Sequence, residues 1–301
     1  MVQTFFKKDC YRIAGKSDLD MLESELNEHD WLRLAGWLQL SCTKLSWVVL
    51  DLARGALTEA LVLLTHPAYG IPLELVRLPG RTPGAPIDGR LLRSGIDCAR
   101  RHGAKELFYS ISGDFSEREV IGDFGFSRWR EILCFTSAGQ IVCGVNDYRI
   151  VEAGMFSEAE ILALIEHTSE SCGDSQTKHF RHLLGSYDDA KLTLETMEFA
   201  AHDPCWWLVA LGPGGRRIGI VLPVLEYGKL TIGFIGVAPE FRGRGIAPCL
   251  LNQLRPLVHR SGYSSIYAEV DSRNGPMQRT VAKSGFRLES VKQEWRLTIE
   301  S

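Results

Sequence analysis

The chain has 301 residues, 45% of them apolar, and 34 basic against 37 acidic side chains leave a formal charge of −3 at pH 7. Those charges are mixed along the sequence, so no basic face stands ready for a polyanion, and nucleic acid is excluded as an expected partner. No apolar run reaches the length of a bilayer span and the opening ten residues have no secretory pattern, so the expectation is a cytoplasmic protein with no membrane partner.

In chain order, Ser17 or Asp18 can cap a helix running through Met21, Leu22 and Leu26 toward Leu34. Residues 47–52, 61–65 and 73–78 read as strands, with a turn at 66–70. Leu91-Leu92 is followed after ten residues by Gly103, then by Gly125-Phe126 and a β-rich stretch at 131–135. Polar, glycine-containing sequence near 137–140 marks a linker. Residues 158–165 give an amphipathic helix, and 168–187 read as irregular. Cys172, His179 and His182 fall in that stretch, but zinc needs three or four convergent ligands and no fourth pattern is nearby, so no metal is expected. Asp188 or Asp189 can cap a helix through Leu192, Leu194, Met197 and Phe199. Strands at 205–211 and 217–225 flank Gly212-Pro-Gly-Gly215, which no helix follows and which therefore reads as a hairpin turn. The eight cysteines include no Cys-x-x-Cys pair, so reduced thiols are expected.

The most informative stretch is Val237-Ala-Pro-Glu-Phe-Arg242-Gly-Arg-Gly-Ile-Ala247, between an apolar strand at 230–237 and a helix with Leu250, Leu251, Leu254, Leu257 and Val258 at helical spacing. The first amides of a helix have no intrahelical acceptor and carry the positive end of its dipole, so they bind anions. Gly243 and Gly245 allow close approach and unusual dihedrals, and Arg242 and Arg244 add charge. The spacing fits neither a Walker A loop nor a Rossmann fingerprint.

The second half repeats the first: Leu250-Leu251 precedes Gly262 by the same ten residues, and Gly285-Phe286 follows. A repeat of about 150 residues suits a duplicated domain, so two domains are expected, at 1–140 and 141–301. Aligned on the Leu-Leu pairs, Pro83, Gly84, Ala85, Pro86 and Asp88 stand where Arg242, Gly243, Arg244, Gly245 and Ala247 stand later, and Ser110 stands opposite Glu269. Proline has no N–H to donate, and an aspartate there caps its own helix and repels phosphate.

Arg242-x-x-Gly245-x-Ala247 preceded by Val-x-Pro, followed downstream by Glu269-Val-Asp, Asn274, a short helix and Gly285-Phe286, resembles the GNAT superfamily of acetyl-CoA-dependent N-acyltransferases. The resemblance covers about residues 144–301. It implies an α/β (α+β) fold of two tandem GNAT-like domains, each a mixed, mostly antiparallel twisted sheet flanked by helices, with the first copy degenerate. It implies acetyl-CoA as co-substrate, gripped at its diphosphate by residues 242–247 (Ile246 included), with the pantetheine arm paired along Ile235, Gly236 and Val237 and hydrogen-bonded by Asn274. Gly236 suits a bulge or a close backbone approach. Glu269 takes the place of the general base, and half-burial is expected to tune it. Val281 stands where the family often has a tyrosine acting as general acid on the leaving thiolate, so the thiolate leaves unassisted or takes its proton from Tyr227, Tyr267 or Cys249. The expected activity is transfer of an acetyl or short acyl group to a small-molecule or peptide amine by direct attack; the alternative is a non-catalytic acyl-CoA-binding regulator. Monomer and homodimer both stay open.

Overall fold

The computed structural model describes residues 11–13, 23–24, 26, 44–53, 56–66, 71–78, 87–101, 103–112, 117–138, 148–200, 202–226 and 228–299. Most of the helix expected near the start, the turn at 67–70 and the 79–86 segment lie outside them. The described chain forms two compact units, residues 1–130 with 292–301, and residues 131–291.

Unit 1 contains β1 (Tyr11–Ile13), β2 (Lys44–Ala53), β3 (Ala56–His66), β4 (Ile71–Leu78), α1 (Gly89–Arg101), β5 (Glu106–Ser112) and α2 (Arg118–Asp123). β6 (Ser127–Ala138) begins in this unit and passes into unit 2. Unit 2 adds β7 (Arg149–Glu152), α3 (Glu158–Thr168), α4 (Ser175–Leu184), α5 (Ser186–Phe199), β8 (Leu208–Leu211), β9 (Arg217–Glu226), β10 (Lys229–Val237), α6 (Ile246–Arg260), β11 (Ser265–Asp271) and α7 (Gly275–Lys283). The last strand, β12 (Arg287–Thr298), begins in unit 2 and ends in unit 1.

The strand order within unit 1 is β1-β2-β3-β4-β5-β12, and within unit 2 it is β7-β8-β9-β10-β11-β6. The two orders are the same pattern, mixed and mostly antiparallel, with one parallel pair in each: β4 with β5, and β10 with β11. The sixth strand of each unit comes from the other half of the sequence. β11 pairs with β6 from Ser265↔Ala138 to Asp271↔Ile132, and β5 pairs with β12 from Glu106↔Thr298 to Ser112↔Lys292. The units therefore differ from the expected division at residue 140. Strand pairing is a long-range choice, and composition near 137–140 carries no record of which sheet a strand joins. The expected linker residues Ser137 and Ala138 are themselves part of β6.

Unit 2 is organised by its sheet. β9 is buried along nearly all its length, as a central strand covered on both faces must be. On one face, Ile246, Leu250, Leu251 and Leu254 of α6 pack against Ile218, Val221, Leu230, Ile266, Ala268 and Val270. Each of those leucines contributes roughly 1.5–3 kcal/mol by leaving water. On the other face, Ile165 of α3 and Ala190, Leu194 and Met197 of α5 cover Ile220, Leu222 and Val224. α3 starts at a capping box in which the Ser157 hydroxyl accepts from Glu160 N–H and the Glu160 carboxylate accepts from Ser157 N–H at 2.9 Å.

Two expectations change here. The 168–187 stretch is not irregular throughout, because α4 fills half of it; Asp174 Oδ1 caps that helix by accepting from Thr177 N–H at 2.9 Å. The sparse apolar positions, with Phe180 the one buried residue of α4, hid the period. Asp188 and Asp189 do not cap α5, which begins at Ser186 behind Gly185; Asp189 is buried, 4% exposed. The 212–215 hairpin is as expected, a tight turn between antiparallel β8 and β9.

Candidate active site

β10 stays paired with β9 as far as Val237↔Gly219, and β11 stays paired with β6 as far as Asp271↔Ile132. Between β10 and β11, however, the one register pair is Thr231↔Tyr267. The two parallel strands part beyond it, so Ile235, Gly236 and Val237 line a stretch of β10 whose β11-facing backbone is not laddered to that strand. The irregularity in β10 falls between Ile232 and Phe234, at Gly233 and not at Gly236. Gly236 answers to the other expectation, a close approach: a Cβ there would lie 2.4 Å from Thr168 Oγ1.

β10 leads through a 3₁₀ turn at Pro239–Phe241 into the glycine loop and then α6. Gly243 and Gly245 have φ of +77° and +79°, a region that L side chains seldom adopt, and a Cβ at either would meet nothing within 4 Å. Arg242, Gly243, Arg244 and Gly245 are all exposed, Ile246 is buried beneath them, and Ala247 is half-buried. At the start of α6, Ile246 and Ala247 carry first-turn N–H groups, Pro248 carries none, and Cys249 N–H already donates to Gly245 O at 3.1 Å. Arg244 donates to Glu240 O at 3.1 Å and lies 5.2 Å from the centroid of Phe241, with the Arg216 guanidinium 5.4 Å from the same ring. Glu240 is held below the usual carboxylate range by backbone hydrogen bonding, helped by His167 and Arg216.

Arg242 behaves differently. Its Nε donates to Val237 O at 3.0 Å, Nη1 to Ser171 O at 3.1 Å, and Nη2 to Thr168 O at 2.9 Å and Glu170 O at 2.5 Å.

On β11, Ile266, Ala268 and Val270 enter the core under α6, so strand alternation sends Tyr267, Glu269 and Asp271 to the face of α3, α4 and α5. Glu269 is exposed there, not half-buried as expected. The burial invoked to tune it is absent, although Val270 and Asp271 beyond it are buried and Cys134 of β6 stands opposite it in the ladder. Asn274 is the N-cap of α7: its Oδ1 accepts from Met277 N–H at 3.3 Å, and the side chain packs on Gly173. Capping uses Oδ1 and leaves the amide nitrogen as a donor. Val281 is buried, 2% exposed, in the core beside α6. Of the other donors considered, Cys249 is buried, Tyr267 carries the Lys229 ammonium 4.7 Å from its ring centroid, and Tyr227 lies outside the described residues. His179 and His182 lie on α4, and among the described residues no three His, Cys, Asp or Glu side chains gather as metal ligands.

Sequence reasoning took Thr168, Gly173 and Ser175 only as part of the 168–187 stretch, without singling them out, and gave Asp271 no role. Asp271 is 2% exposed and accepts from Ser175 N–H at 2.9 Å and Arg273 N–H at 2.7 Å. A buried acid at the end of a strand was a visible signal, but its partner lies far away in sequence.

The corresponding place in unit 1 is built otherwise. β5 and β11 are both seven residues long, at the spacing that separates Leu91 from Leu250, and β4 and β5 also share one register pair, Leu75↔Tyr109. Beyond that pair, Arg77 forms ion pairs with Glu59 and Glu117, and Glu117 accepts from Tyr109 Oη at 2.7 Å. Burial pushes the Tyr109 phenol far up. At the start of α1, Asp88 Oδ1 accepts from Arg90 N–H at 2.7 Å.

A loop of this form at a helix start, beside two parting parallel strands, invites comparison with known folds. Residues 168–286 match the acetyltransferase (GNAT) family. A GCN5-related N-acetyltransferase from Sphaerobacter thermophilus is 20% identical, with TM-score 0.68 over 97% of this chain and 96% of that one. A tandem GNAT protein from the clavulanic acid biosynthesis pathway is 15% identical, with TM-score 0.68 over 97% of this chain and 98% of that one. A GNAT-family acetyltransferase from Colwellia psychrerythraea is 13% identical, with TM-score 0.52 over 96% and 99%. At these identities the likeness establishes the fold: a mixed α/β fold with an open mixed sheet flanked by helices.

Proposed function

We propose that unit 2 binds acetyl-CoA, or a related short acyl-CoA, and transfers its acyl group to a primary amine by direct attack. One observation carries the reading: a positive-φ glycine loop, open to solvent, delivers the first amides of α6 next to the parted end of β10. Those amides with Arg244 suit a diphosphate. The unladdered backbone at Ile235, Gly236 and Val237 suits an extended amide-bearing arm, with the Asn274 amide nitrogen as a further donor.

The thioester supplies the activated acyl group. The amine nitrogen forms the new bond to the carbonyl carbon, the C–S bond breaks, and CoA leaves as thiolate. The ammonium proton passes to the Glu269 carboxylate, which is reachable from solvent on the α3–α5 face. A backbone N–H of β10 steadies the oxyanion. Unit 1 is read as a degenerate copy of the same domain.

Two features favour the second reading, a regulator that binds acyl-CoA without turnover: Val281 is buried and cannot donate a proton, and Glu269 is exposed. Calorimetric titration with acetyl-CoA, followed by a screen of amines for released thiol, separates the two. Binding with thiol release supports transfer, binding alone supports the regulator, and no binding removes both. Within the transfer reading, Glu269→Gln lowers turnover about 10²-fold or more with little change in CoA affinity; a pH–rate profile unchanged by the substitution takes Glu269 out of the reaction.

A further inference from the structure

The segment from Thr168 to Ser175 crosses the opening between the parted strands. At one side Thr168 lies against Gly236 of β10, where a Cβ would be 2.4 Å from its Oγ1. At the other, Gly173 lies against Asn274, 2.7 Å from Oδ1 to the place of a Cβ, and Ser175 N–H donates to Asp271 Oδ2 at 2.9 Å. Ser171, in the middle, has φ +50° and is the one non-glycine residue with positive φ among those described. A side-chain-bearing residue keeps that conformation when its surroundings over-determine it.

What over-determines it here is Arg242. Its guanidinium reaches the carbonyls of Thr168, Glu170 and Ser171 while its Nε holds Val237 O at the end of β10. Four backbone acceptors, from two separate parts of the chain, converge on one planar fork. A guanidinium has five N–H donors and no acceptor, so this one is nearly committed before any anion arrives. A phosphate oxygen needs the same donors. Arg244, exposed and with one hydrogen bond among the described residues, to Glu240 O, is a guanidinium left for that task.

We infer that Arg242 is a positioning residue and not a phosphate ligand: it fastens the 168–175 bridge over the gap between β10 and β11 and couples the glycine loop to that bridge. The coupling rests on the reading of unit 2 as an acyl-CoA site; the fastening does not. When a diphosphate draws the glycine loop into one conformation, Arg242, which sits at the first position of that loop, draws the bridge with it. Lysine does not replace it, because a single ammonium cannot span carbonyls on both sides.

The test is amide hydrogen exchange on the full chain, without and with saturating CoA, for wild type, Arg242→Lys, Arg242→Ala, Arg244→Ala and Asp271→Asn, with CoA affinity measured by calorimetry. Both Arg242 variants are expected to exchange at least tenfold faster in 168–175, with the α6 core unchanged. CoA is expected to slow exchange in 168–175 of the wild type and not of Arg242→Ala, while Arg244→Ala keeps that response and loses about tenfold in affinity. Asp271→Asn loosens the 173–175 end alone and serves if Arg242→Ala does not fold. The inference is overturned if 168–175 keeps wild-type protection in both Arg242 variants, or if Arg242→Ala loses more CoA affinity than Arg244→Ala while the bridge stays protected. A wild-type protein that binds no CoA defeats the proposed function instead, and the exchange rates of the CoA-free variants still decide whether Arg242 fastens the bridge.

Discussion

The two units place a strand, a loop and a helix in the same order, yet the two helix starts are chemically opposite. At α1, Asp88 turns its carboxylate onto Arg90 N–H, so the positive end of that helix is already answered from within. At α6 the equivalent residue is Ala247, and the loop before it contains two exposed, positive-φ glycines, Gly243 and Gly245. The parted strands differ in the same way. In unit 1, side chains bridge β4 and β5 through Glu59, Arg77, Glu117 and Tyr109. In unit 2, the gap is crossed instead by the chain segment from Thr168 to Ser175. Under the proposed function, a shared fold does not make two sites: what decides is whether the chain spends its own polar groups on the helix terminus and the strand gap.

The sharpest way to break the comparison is Gly245→Pro. It removes an N–H and imposes φ near −65° where +79° is needed, so CoA affinity should fall by at least about 10²-fold by calorimetry, while circular dichroism keeps the α6 signal. Wild-type affinity in that variant would refute the loop. Ala247→Asp carries the unit 1 device into unit 2. It should weaken CoA about tenfold or more by adding a self-capping carboxylate, while changing stability by no more than about 1 kcal/mol in urea unfolding.

Buried carboxylates extend the contrast. Glu59 and Glu117 are paired with Arg77, whereas Asp189 is 4% exposed and its Oδ2 has no hydrogen-bond partner among the described residues. Burial raises the Asp189 carboxyl to about 6, with Arg181 opposing and Asp174 adding to the shift. Because the folded state holds the proton more tightly than the unfolded one, this group's contribution falls as pH rises from about 4 to 6 and stays low above that range. Asp189→Asn should therefore raise stability at pH 7.5 by about 1–2 kcal/mol and flatten the pH dependence between 4 and 6, as read by thermal melts. A smaller effect, about 1 kcal/mol of lost stability with CoA affinity untouched, is expected for Tyr109→Phe, which leaves Glu117 without its phenol donor.

Much of unit 2 was legible because its signals are local. The glycine loop, the alternation of β11 and the helical spacing of Leu250, Leu251 and Leu254 each depend on a few adjacent residues, and each sits where expected. The repeat was legible for the same reason, since paired leucines and a Gly-Phe turn recur at nearly constant spacing. α4 was not, because a short, polar helix with one buried residue leaves no period to read.

From the residues alone came the loop, the expectation that it takes an anion, and the twofold layout, since backbone dihedral freedom, helix-terminal charge and hydrophobic period are properties of short stretches. Tertiary structure decided which sheet each of β6 and β12 completes, that Glu269 faces solvent, and that Arg242 serves carbonyls about seventy residues before it. Strand partners, exposure and hydrogen-bond acceptors are set by what the folded chain brings near, and sequence neighbours hold no trace of that.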